Sequence, residues 1–177
     1  MLNFFDHLKI VFDLSNLSEQ EKNILLNISM LPSTHLNIVE VKDWLGLPTY
    51  DELNELCDKG WLQVLESENS EDGEFEENIL MHNLIQETVR AMIPFEYQKI
   101  QNLVKAMISL TNLSPVDNPY IKRKYADYGA SISKNCVDEN YDIAYLLHNI
   151  ATIYSYTANI DTAEKYIKKA VDLKQLP

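Results

Sequence analysis

A chain of 177 residues has room for one large or two small domains, and 46% hydrophobic with 24% charged residues is the balance of a folded domain, not of a disordered one. Four glycines and six prolines among abundant helix formers argue against a many-stranded all-β fold, and no apolar run approaches the roughly 18 residues that cross a bilayer. The net charge of -12 is concentrated in one half: up to Phe95 there are 5 Lys and Arg against 18 Asp and Glu, and from Glu96 onward 10 against 9, so the first half is a poor ligand for a phosphate backbone.

Residues 1–12 are apolar but interrupted by Asp6, His7 and Lys9, which does not make a signal peptide, and a cytoplasmic location follows. Residues 3–14 read as a short helix or the tail of a preceding domain. Ser18-Glu19-Gln20-Glu21 has capping-box spacing and predicts a helix start, with Ile24, Leu25, Ile28 and Leu31 on its inner face and Pro32 as its stop. A second short helix is expected over 37–45, with Ile38, Val41 and Leu45 turned inward, Trp44 as a further candidate, and Gly46 as its end. Thr49-Tyr50-Asp51-Glu52 predicts a second capping box opening a third helix. Leu53, Leu56 and Cys57 share one face of that helix, and Gly60 supplies its left-handed C-terminal residue.

The period then changes. Residues 61–65 alternate, 66–77 form a polar turn around Asp72-Gly73, and 79–81 resume an apolar run, which together predict a two-stranded hairpin. Helical spacing returns over 83–93 through Leu84, Ile85, Val89 and Met92, and Pro94 ends it. An amphipathic helix follows over 97–110 through Ile100, Leu103, Val104, Met107 and Ile108, then a loop over 111–119 and helices over 120–134, 142–156 and 161–173, the last capped by Asp161.

Three helices followed by a hairpin is the order of a winged helix, and the chain therefore reads as mainly α. A winged-helix domain occupies 1–94, with 15–94 its body and a short N-terminal lead-in, and a helical domain occupies 95–177. The last 34 residues, 144–177, match one tetratricopeptide repeat. Leu147, Ile150, Ala151 and Tyr154 fit its first helix and Ala163 and Ala170 the small positions of its second, while Ile167 stands where an aromatic is usual. One repeat does not bury its own apolar face, so residues 97–134 are expected to supply a preceding pair and the chain to be part of a longer array.

Charge weighs against the DNA-binding reading that a winged helix invites. The expected recognition helix carries Asp51, Glu52, Glu55 and Asp58 against Lys59 alone, and the wing carries Glu66, Glu68, Glu71, Asp72, Glu74, Glu76 and Glu77 with no base. The wing is either a solvated turn or a docking surface for a basic partner. Cys57 and Cys136 are separated, and His7, His35, His82 and His148 are scattered, so no metal site is expected.

Leu45-Gly46-Leu47, Leu56, Gly60-Trp61-Leu62 and the run Met81-His82-Asn83-Leu84-Ile85-Gln86-Glu87-Thr88-Val89-Arg90, followed by tetratricopeptide-like helices, resemble the winged-helix region of NB-ARC proteins, the STAND-class signal-transduction ATPases. The resemblance implies that Met81 and His82 match the family's Met-His-Asp motif, whose histidine touches the diphosphate of bound ADP. Asn83 replaces the usual Asp. It further implies a non-catalytic regulatory and interaction fragment that couples a helical-repeat sensor to a nucleotide-binding module elsewhere in the same protein. ADP or ATP would belong to that module, since this chain has no G-x-x-x-x-G-K-[ST] loop and needs no cofactor of its own.

Read from the residues alone, His82 could instead cap a helix or be a satisfied buried histidine. Trp44, Leu56, Trp61 and Leu62 read as core. Tyr120, Tyr125, Tyr128, Tyr141, Tyr145, Tyr154 and Tyr156 crowd the second half, most of them expected between helices. Lys122-Arg123-Lys124, with Tyr120 and Tyr128, is either a solvated face or a surface for a peptide or protein ligand. The alternative function is a winged-helix DNA-binding regulator with a helical sensor.

Overall fold

The structure is a computed structural model that describes residues 12–68, 75–136 and 140–174. Among these are eight α-helices and a small three-stranded antiparallel sheet. The chain divides into two compact units, one made of the described residues up to Ser29 with Ser33–Lys99, the other of Met30–Pro32 with the described residues from Ile100.

In the first unit a 3-10 turn at Leu14–Asn16 leads to helix α1, Glu19–Ser29. The lead-in expected over 3–14 falls mostly outside the described residues. The capping box at α1 forms as its spacing predicts: the Glu21 carboxylate accepts from the Ser18 N–H at 2.7 Å, and the Ser18 hydroxyl accepts from the Glu21 N–H at 3.1 Å. Ile24, Leu25, Leu26 and Ile28 are buried along it. Helix α2, Ile38–Leu45, is capped by Asn37, whose side chain accepts from the N–H groups of Val39 and Glu40. Its inner face is Ile38, Val41 and Trp44, and Leu45 is only half-buried. Gly46 closes α2 at φ 68°, with the Leu47 N–H reaching back to the Lys42 carbonyl.

Helix α3, Asp51–Asp58, departs from expectation at its start. Tyr50 takes the cap position and makes no side-chain cap bond, so Glu52 sits one place too early to reach back, and the second capping box does not form. Thr49 instead pairs its hydroxyl with the Asp51 carboxylate at 3.0 Å. At the other end Gly60, φ 75°, is the left-handed residue that the sequence predicts, and the Trp61 N–H returns to the Leu56 carbonyl. Trp61 and Leu62 are buried in the turn that follows, ahead of any strand.

The expected two-stranded hairpin is part of a three-stranded sheet. Strand β1, Leu36–Asn37, pairs with β3, Phe75–Leu80, which also pairs with β2, Gln63–Glu68, in the order β1-β3-β2. Leu36 lies opposite Ile79, and both are fully buried. Asp72-Gly73 lies outside the described residues.

Helix α4, Asn83–Met92, packs against α1, and α3 also touches α1. Its buried residues are Gln86, Thr88 and Val89, whereas Leu84, Ile85 and Met92 are half-buried, so the inner stripe is rotated from the one that the apolar spacing predicts. Polar groups tie this packing. Arg90 donates to the Ser29 carbonyl at the open end of α1, and Asn27 Nδ2 donates to the carbonyls of Asn23 and Lys99 at 2.8 Å each.

Helix α5, Tyr97–Thr111, contributes Ile100, Leu103, Val104 and Met107 to the second unit's core. Helix α6, Pro119–Asn135, is capped by Asn118, and α7, Tyr141–Tyr156, by Asn140. Gly129 on α6 lies so close to α7 that a β-carbon there would meet Ile150 Cδ1 at 3.0 Å and Leu146 Cδ1 at 3.1 Å. Helix α8, Ile160–Lys174, packs on α7 through buried Ala151, Ala163 and Ala170. Asp161 lies in the first turn of α8 and is not its cap, because the helical bonding already begins at the Asn159 carbonyl.

Candidate functional site

The joint between β3 and α4 is built on Met81. Its side chain is buried, and its carbonyl accepts from the Ser33 hydroxyl at 2.8 Å. One residue on, His82 holds an extended backbone, φ -63° and ψ 141°, and takes the cap position of α4, where its carbonyl accepts the first helical bond from Gln86. The imidazole makes no cap bond and is exposed, as is Asn83. His82 is therefore neither a side-chain cap nor a buried histidine. It is a donor on a fixed backbone, beside helix N–H groups that lack intrahelical partners. Such an arrangement can present hydrogen bonds to an anion brought to it.

The exposed side of α3 is acidic, with Asp51, Glu55 and Asp58. Its flanking cation Lys59 is engaged: it pairs with Glu21 across to α1 and with Glu55 at 3.4 Å. Glu21 is buried, which pushes its carboxyl up, but hydrogen bonds from Lys59 and Ser18 prevail and hold it below the usual range. The side chains of Glu66, Glu68 and Glu76 and all of Glu71, Asp72 and Glu74 lie outside what the structure describes, while Glu77 is exposed. The Cys57 thiol is pushed up to about 11 by burial and by the carboxylates of Glu77 and Asp58, which makes it a poor nucleophile. Cys136 follows α6 as its C-terminal cap residue and does not lie within a helix. Among the described residues no grouping of His, Cys, Asp and Glu could hold a metal ion.

The cationic stretch on α6 is largely committed to the unit's own structure. Lys122 donates to the Asn112 carbonyl at 2.6 Å and pairs with Asp117 at 3.2 Å. Arg123 lies 4.1 Å over the Tyr154 ring, donates to Thr157 at 3.0 Å and pairs with Asp127 at 3.3 Å. Tyr154 closes the cluster by donating to Asp127 at 2.6 Å and stacking on Tyr166 at 5.7 Å. Its hydroxyl is held well above the ordinary tyrosine range by burial and by that bond. Lys124 lies over the rings of Tyr125 and Tyr128.

Tyr128 is buried and presents no surface for a ligand, which corrects its placement among interaction residues. Tyr120 is exposed. Of the seven tyrosines expected mostly between helices, only Tyr128 and Tyr154 are buried, whereas Tyr120, Tyr141, Tyr145 and Tyr156 are exposed. The Arg123–Tyr154–Asp127 cluster and the Gly129 contact carry no local signal. Tyr166, one residue before Ile167, is half-buried against the Tyr154 ring.

No described helix is long and apolar enough to cross a membrane. Compared with family models, curated proteins and solved structures, the chain matches none.

Proposed function

We propose that the chain is a non-catalytic regulatory and interaction segment of a cytoplasmic STAND-type ATPase, a winged helix followed by the start of a tetratricopeptide-like sensor. The observation that carries the reading is His82, exposed on a backbone anchored by buried Met81 at the start of α4. A histidine so placed can donate to a nucleotide diphosphate that a separate module holds, and the helix N-terminus beside it favours negative charge. Support for the winged helix comes from α1, α2 and α3 preceding a hairpin whose last strand feeds α4. Support for the repeat comes from the small residues Ala151, Ala163 and Ala170 between α7 and α8. Ligand binding on the helical unit would bias an equilibrium between nucleotide-held and released states.

A DNA-binding regulator draws no support from the exposed side of α3, where Asp51, Glu55 and Asp58 would face the duplex and Lys59 is already paired. Two results decide the proposal. The reading frame of the parent gene should encode a phosphate-loop module immediately upstream, and its absence would sink the assignment. With that module present, His82→Ala should lower the amount of ADP that copurifies. Unchanged retention would remove His82 from the nucleotide contact.

A further inference from the structure

The chain passes between its two units at two places. It leaves the first unit after Ser29, spends Met30–Pro32 in the second and returns at Ser33, and it passes again from Lys99 to Ile100 within α5. The two residues that flank the short excursion are both held by the joint and helix that carry His82. Ser33 donates its hydroxyl to the Met81 carbonyl at 2.8 Å, and Arg90, in the last turn of α4, donates to the Ser29 carbonyl. The later passage is tied elsewhere, since the Lys99 carbonyl accepts from Asn27 on α1.

The excursion has little slack. Met30 and Leu31 are 1% and 2% exposed, and Pro32 fixes its own φ and restricts Leu31 before it. The joint is equally stiff. The Met81 carbonyl and the His82 N–H share one planar peptide, so a pull on that carbonyl turns the backbone of His82. The His82 carbonyl in turn accepts from the Gln86 N–H at 3.0 Å, the first bond of α4. We propose that Met30–Pro32 is the regulatory link of the His82 site: a change of packing in the second unit reaches the joint through Ser33 and Arg90 and moves His82 toward or away from its anion. Two such bonds suit the lower end of the roughly 5–150-fold range of coupling between sites. The inference rests on the proposed function for what His82 binds, but the link itself is a property of this chain with or without a nucleotide.

Native-state hydrogen exchange of the whole 177-residue chain reads the link at the Gln86 N–H. Tyr154→Phe removes a bond that lies wholly in the second unit, and should speed exchange at Gln86 by up to about fivefold, the worth of one ordinary hydrogen bond. Asn54, whose N–H closes on the Tyr50 carbonyl at the start of α3, should not respond. Gly129→Ala, which presses a β-carbon against Ile150, should give the same pattern more strongly. With Ser33→Ala in place either change should lose most of its effect at Gln86, and with Ser33→Ala and Arg90→Met all of it, whereas Ser33→Thr keeps the hydroxyl and should keep the response. Ser33→Ala alone decides if Arg90→Met does not fold. Exchange at Gln86 that ignores both second-unit variants would overturn the link. So would a response that survives loss of the Ser33 hydroxyl undiminished, or one shared equally by Asn54, which would mark general opening of the first unit. None of these outcomes involves a nucleotide, so failure here leaves ADP retention in His82→Ala to decide the proposed function by itself.

Discussion

Trp61 offers the most direct test of the first unit's core. It is 4% exposed, its N–H closes the end of α3 on the Leu56 carbonyl, and its ring meets Phe12 at a centroid distance of 5.0 Å. Trp61→Ala removes a large buried ring and leaves a cavity beside the glycine turn, which should cost about 3–5 kcal/mol. The Phe12 contact adds roughly 0.5–1.5 kcal/mol to what is lost. For a unit of this size each kcal/mol moves the melting temperature by about 4–8 °C, so a drop of at least about 12 °C is expected. The assay is supplied by the sequence. The chain has two tryptophans, and both Trp44 and Trp61 lie in the first unit, so in the variant the fluorescence excited selectively in tryptophan comes from Trp44 alone. Trp44 is itself buried and should report exposure of the same core as denaturant is added. Trp61→Phe, which keeps an aromatic ring in the site, should recover part of the loss. An Ala variant with the wild-type midpoint by Trp44 fluorescence would refute the reasoning, because a buried indole of that size is not removed without cost.

Three further predictions follow from particular contacts. Glu21→Gln should flatten the acid limb of the stability curve. The folded carboxyl is held below its unfolded value near 4.5, so its stabilisation is present above that value and is lost as pH falls through the folded one. Denaturant midpoints of the variant and wild type should converge in acid and differ at neutral pH, and a constant difference would contradict the linkage. Gly60→Ala should destabilise the first unit by about 1–2 kcal/mol in urea titrations, although nothing lies within 4 Å of the added carbon, because φ 75° strains any residue with a β-carbon. Tyr154→Phe should cost about 1 kcal/mol in thermal melts of the second unit by removing the bond to Asp127 while keeping the ring under Arg123 and against Tyr166; no loss would mean that water replaces the bond fully.

What could be read from the sequence and what could not divide along sequence separation. The box at Ser18 and Glu21 and the glycine ends at Gly46 and Gly60 are local devices, each complete within a few residues, and they stand where their spacing places them. The box at Thr49 fails for an equally local reason that spacing alone does not reveal, since the cap falls at Tyr50, one residue later than Thr49, and leaves Glu52 one place short of the position that reaches back. Strand β1 has two residues, too few to show a period, and exists because Leu36 meets Ile79 across the fold. The polar ties are longer still: Lys59 to Glu21 spans 38 residues, Arg90 to Ser29 61, and Arg123 to Thr157 34. A buried polar group needs a partner, but the sequence does not say which one.

The same limit governs the candidate sites. At His82 the residue type and the strand-to-helix transition were both legible, and its exposure was not, because exposure depends on how Met81 is anchored from Ser33. On α6 the run of three bases looked like a surface feature. Yet Lys122 and Arg123 are held by Asn112, Asp117, Asp127, Tyr154 and Thr157, contacts that exist only once the loop and α7 are in place. A ligand that recruited Arg123 would have to replace a stacked ring, an ion pair and a hydrogen bond together.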